Sequence, residues 1–140
     1  MKVLDIKFED SMKVEESFYQ AFCNQDIELM KNVWDKTDDV VCIHPGSLII
    51  CGFKPIIASW EKIFTGFASA TIKTSEKIYR CEKDIAFHYL KEDVLLKQKR
   101  IAIVYATNIY CDTKNGWKMI THHASLAFKE LNKQVNPSIH

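Results

Sequence analysis

The chain is expected to fold as an α+β domain, with N-terminal helices packed on a strongly bent, mostly antiparallel sheet. Two observations predict it. The first half alternates helical periodicity with short Val/Ile-rich runs, whereas the second half is almost entirely long β-rich stretches joined by short polar links. Short links make consecutive strands antiparallel neighbours, because parallel strands need long crossovers. Helices followed by a meander place the helices on one face of a single sheet.

Each element has its own signal. Residues 1–9 read as a short extended lead-in. From Ser11, which with Asp10 can cap a helix, Val14, Phe18, Ala21 and Phe22 recur on one helical face. Asn24-Gln25 breaks that helix, and Asp26 caps a second whose inner face carries Ile27, Met30 and Trp34. A strand at Asp39–His44 stops at Pro45-Gly46, and Leu48–Cys51 returns as a second. Pro55 lies in the first turn of a third helix that puts Ile56, Trp60, Ile63 and Phe67 on one face and ends at Gly66. Four strands follow, at Thr71–Cys81, Asp84–Leu95, Arg100–Cys111 and Gly116–Phe128.

The 140 residues are expected to make one domain with its core over 10–128 and a frayed tail at 129–140. At this size roughly 70% of the unfolded chain's surface is buried, so no staple is required. A net charge of +1 and one short basic run, Lys97, Lys99 and Arg100, give no reason to expect nucleic-acid binding. The five cysteines form no CxxC pair, and no signal peptide or membrane span is evident, so reduced thiols in a cytoplasmic protein are expected. Each cysteine lies in or beside an expected element and reads as a small buried hydrophobe.

The strand RIAIVYATNIYC is apolar on both faces, with Ile101, Ile103 and Tyr105 on one side and Ala102, Val104 and Ala106 on the other. Both sides then need cover. The helices supply one, and a second copy of the chain is the simplest source of the other, which predicts a homodimer through the outer sheet face.

The order of elements and three local motifs resemble a known family. They are Asn24-Gln25-Asp26 after the first helix, a strand ending in His44-Pro45-Gly46 with Gly52 opening the Trp60 helix, and a last strand from Gly116-Trp117 through His122-His123-Ala124-Ser125. Over roughly residues 10–128 this arrangement resembles the SnoaL-like and ketosteroid-isomerase-like domains of the nuclear-transport-factor-2-like superfamily. The resemblance implies a cone-shaped (cystatin-like) fold with an apolar cavity at its open end, and dimers. It aligns His44 with the isomerase branch's general-base aspartate, Phe18 with its oxyanion tyrosine and Thr107 with its protonated aspartate. Neither Phe18 nor Thr107 supplies those donors, so the resemblance carries the pocket here rather than the steroid-isomerase mechanism. Other branches use a histidine pair as acid and base in dehydration, or only bind ligands and partners.

His44 shares strand parity with Val40 and Cys42; facing a cavity it would shuttle protons, and facing the turn it would bond a backbone group. His122 and His123 point to opposite faces unless a bulge intervenes. Parity with Trp117, Met119 and Thr121 favours His123 for the pocket and leaves His122 at an interface or behind the site. Trp34, Trp60 and Tyr105 are the aromatic lining candidates, with core packing the favoured alternative for each; Tyr89 and Tyr105 could also donate to an oxyanion, and Tyr110 reads as surface or interface. Asp38, Asp39 and Asp84 read as turn chemistry. No third ligand stands near the two histidines, so no metal site is expected, nor is any organic cofactor. GxSxG, GxGxxG and GKT/S signatures are absent.

Two functions follow. One is a cofactor-free isomerase, dehydratase or cyclase acting on a small apolar or aromatic ligand, with His44, His123 and Tyr105 as its catalytic groups. The other is a ligand-binding or assembly module that uses the same cone without chemistry.

Overall fold

The computed structural model describes residues 3–66 and 69–127. Helices α1 (Val3–Asn24) and α2 (Ile27–Val33) precede the short strands β1 (Val41–Ile43) and β2 (Ile50–Cys51). Helix α3 (Phe53–Gly66) then leads into β3 (Ala70–Glu82), β4 (Ile85–Leu96), β5 (Lys99–Thr113) and β6 (Gly116–Leu126). Phe67, Phe128 and the expected tail lie outside the described residues.

Helix α1 starts well before Ser11, so residues 3–9 are helical and not an extended lead-in. With no Gly or Pro before Asn24, nothing in the stretch stops the helix earlier. Ser11 is consequently no cap but a buried mid-helix residue whose hydroxyl donates to the Phe8 carbonyl at 3.0 Å. Gln25 takes a left-handed φ of 48°, ending α1, and Asp26 caps α2 by accepting the Leu29 N–H at 3.0 Å. Gly52, at φ 97°, turns β2 into α3; a side chain there would be strained by that left-handed backbone, although a Cβ would meet Pro55 Cδ only at an ordinary contact distance of 3.5 Å.

One sheet holds all six strands in the order β2-β1-β6-β5-β4-β3. The four long strands form the expected meander, and β1 joins it by pairing parallel to β6, with Cys42 opposite His122. Strand β2 is shorter than expected, and Leu48 and Ile49 lie outside it, 86% and 62% exposed. Register shifts fall between Ser75 and Ile78 in β3, at Val94/Leu95, and at Ile109/Tyr110. Bulges of this kind bend a strand and raise its twist, which curls the long strands over the helices.

The main core joins both layers through residues such as Met30, Val33, Ile56, Ala86, Leu90 and Met119. Trp34 and Tyr110 are fully buried in it. Trp34 therefore packs as core, bridged to Met119, and is not among the residues that line the hollow between the helices and the sheet, and Tyr110 is not a surface residue. Truncating an aromatic side chain at such a site costs roughly 3–5 kcal/mol, mostly from lost transfer energy and the cavity left behind. Of the five free thiols, Cys42 and Cys81 are buried but Cys51 is exposed, because β2 lies at the sheet edge. Among the described residues no helix is long and apolar enough to cross a membrane.

Candidate functional site

A hollow of about 750 Å³ opens between α1, α3 and the inner face of the sheet. Phe18 and Phe22 from α1, Trp60 and Ile63 from α3, and Ile72 and Val104 from the sheet make its walls apolar. The Pro45-Gly46-Ser47 turn and exposed Lys62 stand on its lining toward solvent. The ionisable groups set deeper in the wall are His44, His122 and Glu92.

His44 follows β1 on the same side as buried Cys42, as parity requires, and its ring meets the edge of Trp60 with centroids 4.6 Å apart. Its Nε2 lies 2.9 Å from Ser59 Oγ, while the Ser59 hydroxyl donates to the Ile56 carbonyl at 2.6 Å. A hydroxyl has one proton, so the imidazole must be the donor to Ser59. That tautomer leaves the lone pair on Nδ1, whose contact is the Cys42 thiol at 3.9 Å. Burial pushes the His44 pKa down to about 4, so the ring is neutral at neutral pH. Burial likewise drives the Cys42 thiol up to about 12, which keeps it protonated.

His122 anchors a directional chain of hydrogen bonds. Its Nδ1 lies 2.6 Å from Asn108 Oδ1, Asn108 Nδ2 donates to Tyr19 Oη at 2.9 Å, and Tyr19 donates to Glu92 Oε2 at 2.6 Å. With the amide oxygen facing it, Nδ1 carries the proton and Nε2 keeps the lone pair. Burial first, and then the neighbouring His44 and His123, push the His122 pKa down to about 3. Glu92 moves the opposite way: burial raises its pKa to about 7 against the lowering effect of the Tyr19 bond. Its Oε1 has no hydrogen-bond partner among the described residues. The His44 and His122 ring centroids stand 6.5 Å apart, and Phe18 lies 4.8 Å from His122.

The sequence-derived candidates thus divide between the two faces of the sheet. His44, His122, Phe18 and Trp60 line the hollow. His123, Tyr105, Tyr89 and Thr107 gather instead on the outer face around a separate shallow depression with Ser125. The expected order of the two histidines is therefore reversed. The cause is local: Tyr110 pairs with Met119 and Ile109 with Thr121, so Ile120 is an extra residue in β6. Parity changes across that bulge, and Met119 and His122, three residues apart, both point inward. Tyr105 and Tyr89, 48% and 39% exposed on the outer face, cannot reach the cavity as oxyanion donors.

Glu92, Tyr19, Asn108 and Ser59 were missed from sequence. A signal for two of them existed. Glu92 shares strand parity with Ala86, His88 and Leu90, and Asn108 shares it with Val104, Ala106 and Tyr110. An acid or an amide on an otherwise apolar strand face must find a partner inside. Tyr19 and Ser59 carry no comparable mark, since one reads as helix surface beside Phe18 and the other as an ordinary helical serine.

Comparison with known proteins agrees with this architecture. A family model for the SnoaL-like domain matches residues 12–129. The chain is 24% identical over 120 residues to the F-box protein SKIP8 of Arabidopsis thaliana, an alignment covering 82% of this chain and 48% of that protein. It therefore spans about half the length of this curated relative. A candidate dehydratase of the nuclear-transport-factor-2-like family from Streptomyces avermitilis superposes with a TM-score of 0.81 at 23% identity, covering 90% of this chain and 99% of that one. A candidate calcium/calmodulin-dependent protein kinase type II association domain from Thiobacillus denitrificans gives 0.76 at 26% identity, covering 81% and 92%. A cystatin-like protein from Nostoc punctiforme gives 0.77 at 14% identity, covering 91% and 96%. The chain belongs to the SnoaL-like domain family and has the nuclear-transport-factor-2-like, cystatin-like α+β fold.

Proposed function

We propose that this protein binds a small apolar ligand in the hollow and performs acid–base chemistry on it, as an isomerase, dehydratase or cyclase, with His44 as the base. The observation that carries this reading is the pair of neutral imidazoles, 6.5 Å apart in an apolar cavity of about 750 Å³, each holding one ring nitrogen by a hydrogen bond. A ring fixed at one nitrogen presents the other in a defined direction, which is what positioned proton transfer requires. His122 takes the second catalytic position, since His123 and Tyr105 lie across the sheet. The likeness to the Streptomyces candidate dehydratase supports a lyase among these reactions. Once a thermal-shift screen of a metabolite panel supplies a substrate, His44→Ala should lower its turnover roughly 100-fold or more while leaving the melting temperature within a few degrees. Unchanged turnover would remove His44 from the role of base.

A second reading, binding or assembly without chemistry, rests on the outer face. Ile78, Tyr89, Ile101 and Tyr105 are exposed there, 65%, 39%, 54% and 48% respectively, a set of large side chains suited to a second copy of the chain. The likeness to the Thiobacillus association domain supports the same reading. Sedimentation equilibrium should return twice the chain mass, and Tyr105→Lys should shift it toward one chain mass. A single-chain mass at every concentration would refute the dimer.

A further inference from the structure

The ionisable groups deep in the hollow leave acceptors open, while the buried donor on its lining without a partner among the described residues is the neutral Trp60 indole N–H. His44 holds its proton toward Ser59 and His122 holds its proton toward Asn108, so the second nitrogen of each ring is a lone-pair acceptor; that of His44 meets the Cys42 thiol at 3.9 Å, and that of His122 has no partner among the described residues. Glu92 receives the Tyr19 proton on Oε2, and Oε1 has no donor among the described residues. Lys62, the cation on the lining, is exposed toward solvent, and no arginine is among the lining residues. Around these acceptors stand aromatic faces: Trp60 lies 5.5 Å from Phe18 and 6.1 Å from Phe22, centroid to centroid.

A ligand complementary to this interior must bring donors. A carboxylate or phosphate would meet the Glu92 oxygen and the His122 lone pair, and a bare ketone could use the Trp60 indole N–H but would leave both of those acceptors unpaired. Buried acceptors left unpaired cost roughly 1–3 kcal/mol each, so the mismatch discriminates strongly. A hydroxyl meets one acceptor. An ammonium group has two or three N–H donors, a charge opposite to that of Glu92, and aromatic rings to rest against, where a desolvated cation gains about 2 kcal/mol.

We propose that the cavity takes an apolar amine, bound as its ammonium, with the N–H groups directed to Glu92 and the His122 lone pair and the body packed against Phe18, Phe22 and Trp60. The inference rests on the hollow being the ligand site, and it names the class of ligand that site selects. Tyr19 from α1 fixes the carboxylate, with Asn108 from β5 and His122 from β6 behind it. The other ionisable groups on the lining are His44 beside β1 and Lys62 on α3, so Glu92 is the acid that faces the cavity there. Tyr110, buried in β5, adds no charge at neutral pH because burial raises its pKa well above the ordinary value.

Three probes of nearly equal shape separate the possibilities: naphthylmethylamine, naphthylmethanol and naphthoate, titrated by calorimetry into the full chain. The amine should bind at least about tenfold more tightly than the alcohol, with naphthoate weakest. Glu92→Gln should bring the amine down to the alcohol's affinity and change the alcohol less than about twofold. In the unaltered protein, amine affinity should rise from about pH 6 to about pH 8 as Glu92 ionises, while the alcohol stays flat. Naphthoate binding as well as the amine, or an amine affinity indifferent to both Glu92→Gln and pH, would overturn the ligand class and leave the pocket reading standing. Failure of all three probes to bind would overturn both.

Discussion

Among the described residues, two buried polar clusters are built from the same chemistry and behave in opposite ways. In the first, His88 lies between Ser11 and Glu15, with Nε2 3.0 Å from Ser11 Oγ and Nδ1 3.0 Å from Glu15 Oε1. Glu15 Oε2 accepts from Tyr79 at 2.6 Å and Lys77 at 3.2 Å. The order serine, imidazole, carboxylate is that of a nucleophile triad. Yet the Ser11 proton belongs to the Phe8 carbonyl, and Ser11, Glu15 and His88 are at most 3% exposed. Every carboxylate oxygen has its donor, so the cluster is a latch that ties α1 to β3 and β4. Burial alone would raise the Glu15 pKa, but the bonds from His88 and Tyr79 and the charges of His88 and Lys77 outweigh it and hold the pKa below the ordinary value.

The second cluster, around His44, His122 and Glu92, leaves an acceptor unused on His122 and on Glu92 and sets only a thiol, at 3.9 Å, against the one on His44, and those residues line a cavity. Satisfied polar groups specify structure, whereas unsatisfied ones at an accessible wall specify a ligand. Residue type therefore says little here; what matters is whether the last lone pair is taken.

The comparison can be broken most forcefully at the latch. His88→Ala leaves the Glu15 carboxylate buried with its imidazole partner gone, which should cost roughly 3–5 kcal/mol in urea unfolding. A loss below about 1 kcal/mol would mean that the cluster is no latch.

The next effect has the opposite sign. The folded pKa of Glu92, about 7, lies above its ordinary 4.5, so its stabilisation is complete below 4.5 and is lost as pH rises through about 7. Glu92→Gln removes that loss. The variant should match the parent near pH 4 and exceed it above about pH 8 by on the order of 3 kcal/mol, measured as unfolding free energy against pH. Parallel curves would refute a buried acid at this position.

A smaller change sharpens the tautomer argument. Ser59→Ala removes the acceptor for His44 Nε2–H and should cost about 1 kcal/mol, with the imidazole nitrogen NMR signals losing their single-tautomer pattern. In the unaltered protein the depressed pKa values of His44 and His122 act on the acid side. Their stabilisation is present above 6.5 and is lost as pH falls through about 4 and about 3. Their ring signals should therefore not move between about pH 7 and about pH 5.5, and a midpoint near 6.5 in either ring would contradict the burial of both.

Much of this was legible in advance. Periodicity located α3 and the four long strands, Asp26 announced a cap, and the parity of Val40, Cys42 and His44 placed that imidazole on the inner side. These signals are local, set by backbone sterics and by which side of an element meets water. The tertiary structure decided the rest. The extra residue Ile120 exchanged the faces of His122 and His123, and the parallel pairing of β1 with β6 brought Cys42 and His44 beside His122. Helix α1 then closed over the sheet, so that Tyr19 met Glu92, 73 residues away. A bulge is a property of two strands in register and a buried hydrogen bond is a property of two elements in contact. Neither leaves a periodic trace along one chain, so the sequence determined the layers while packing chose which lone pairs remained open.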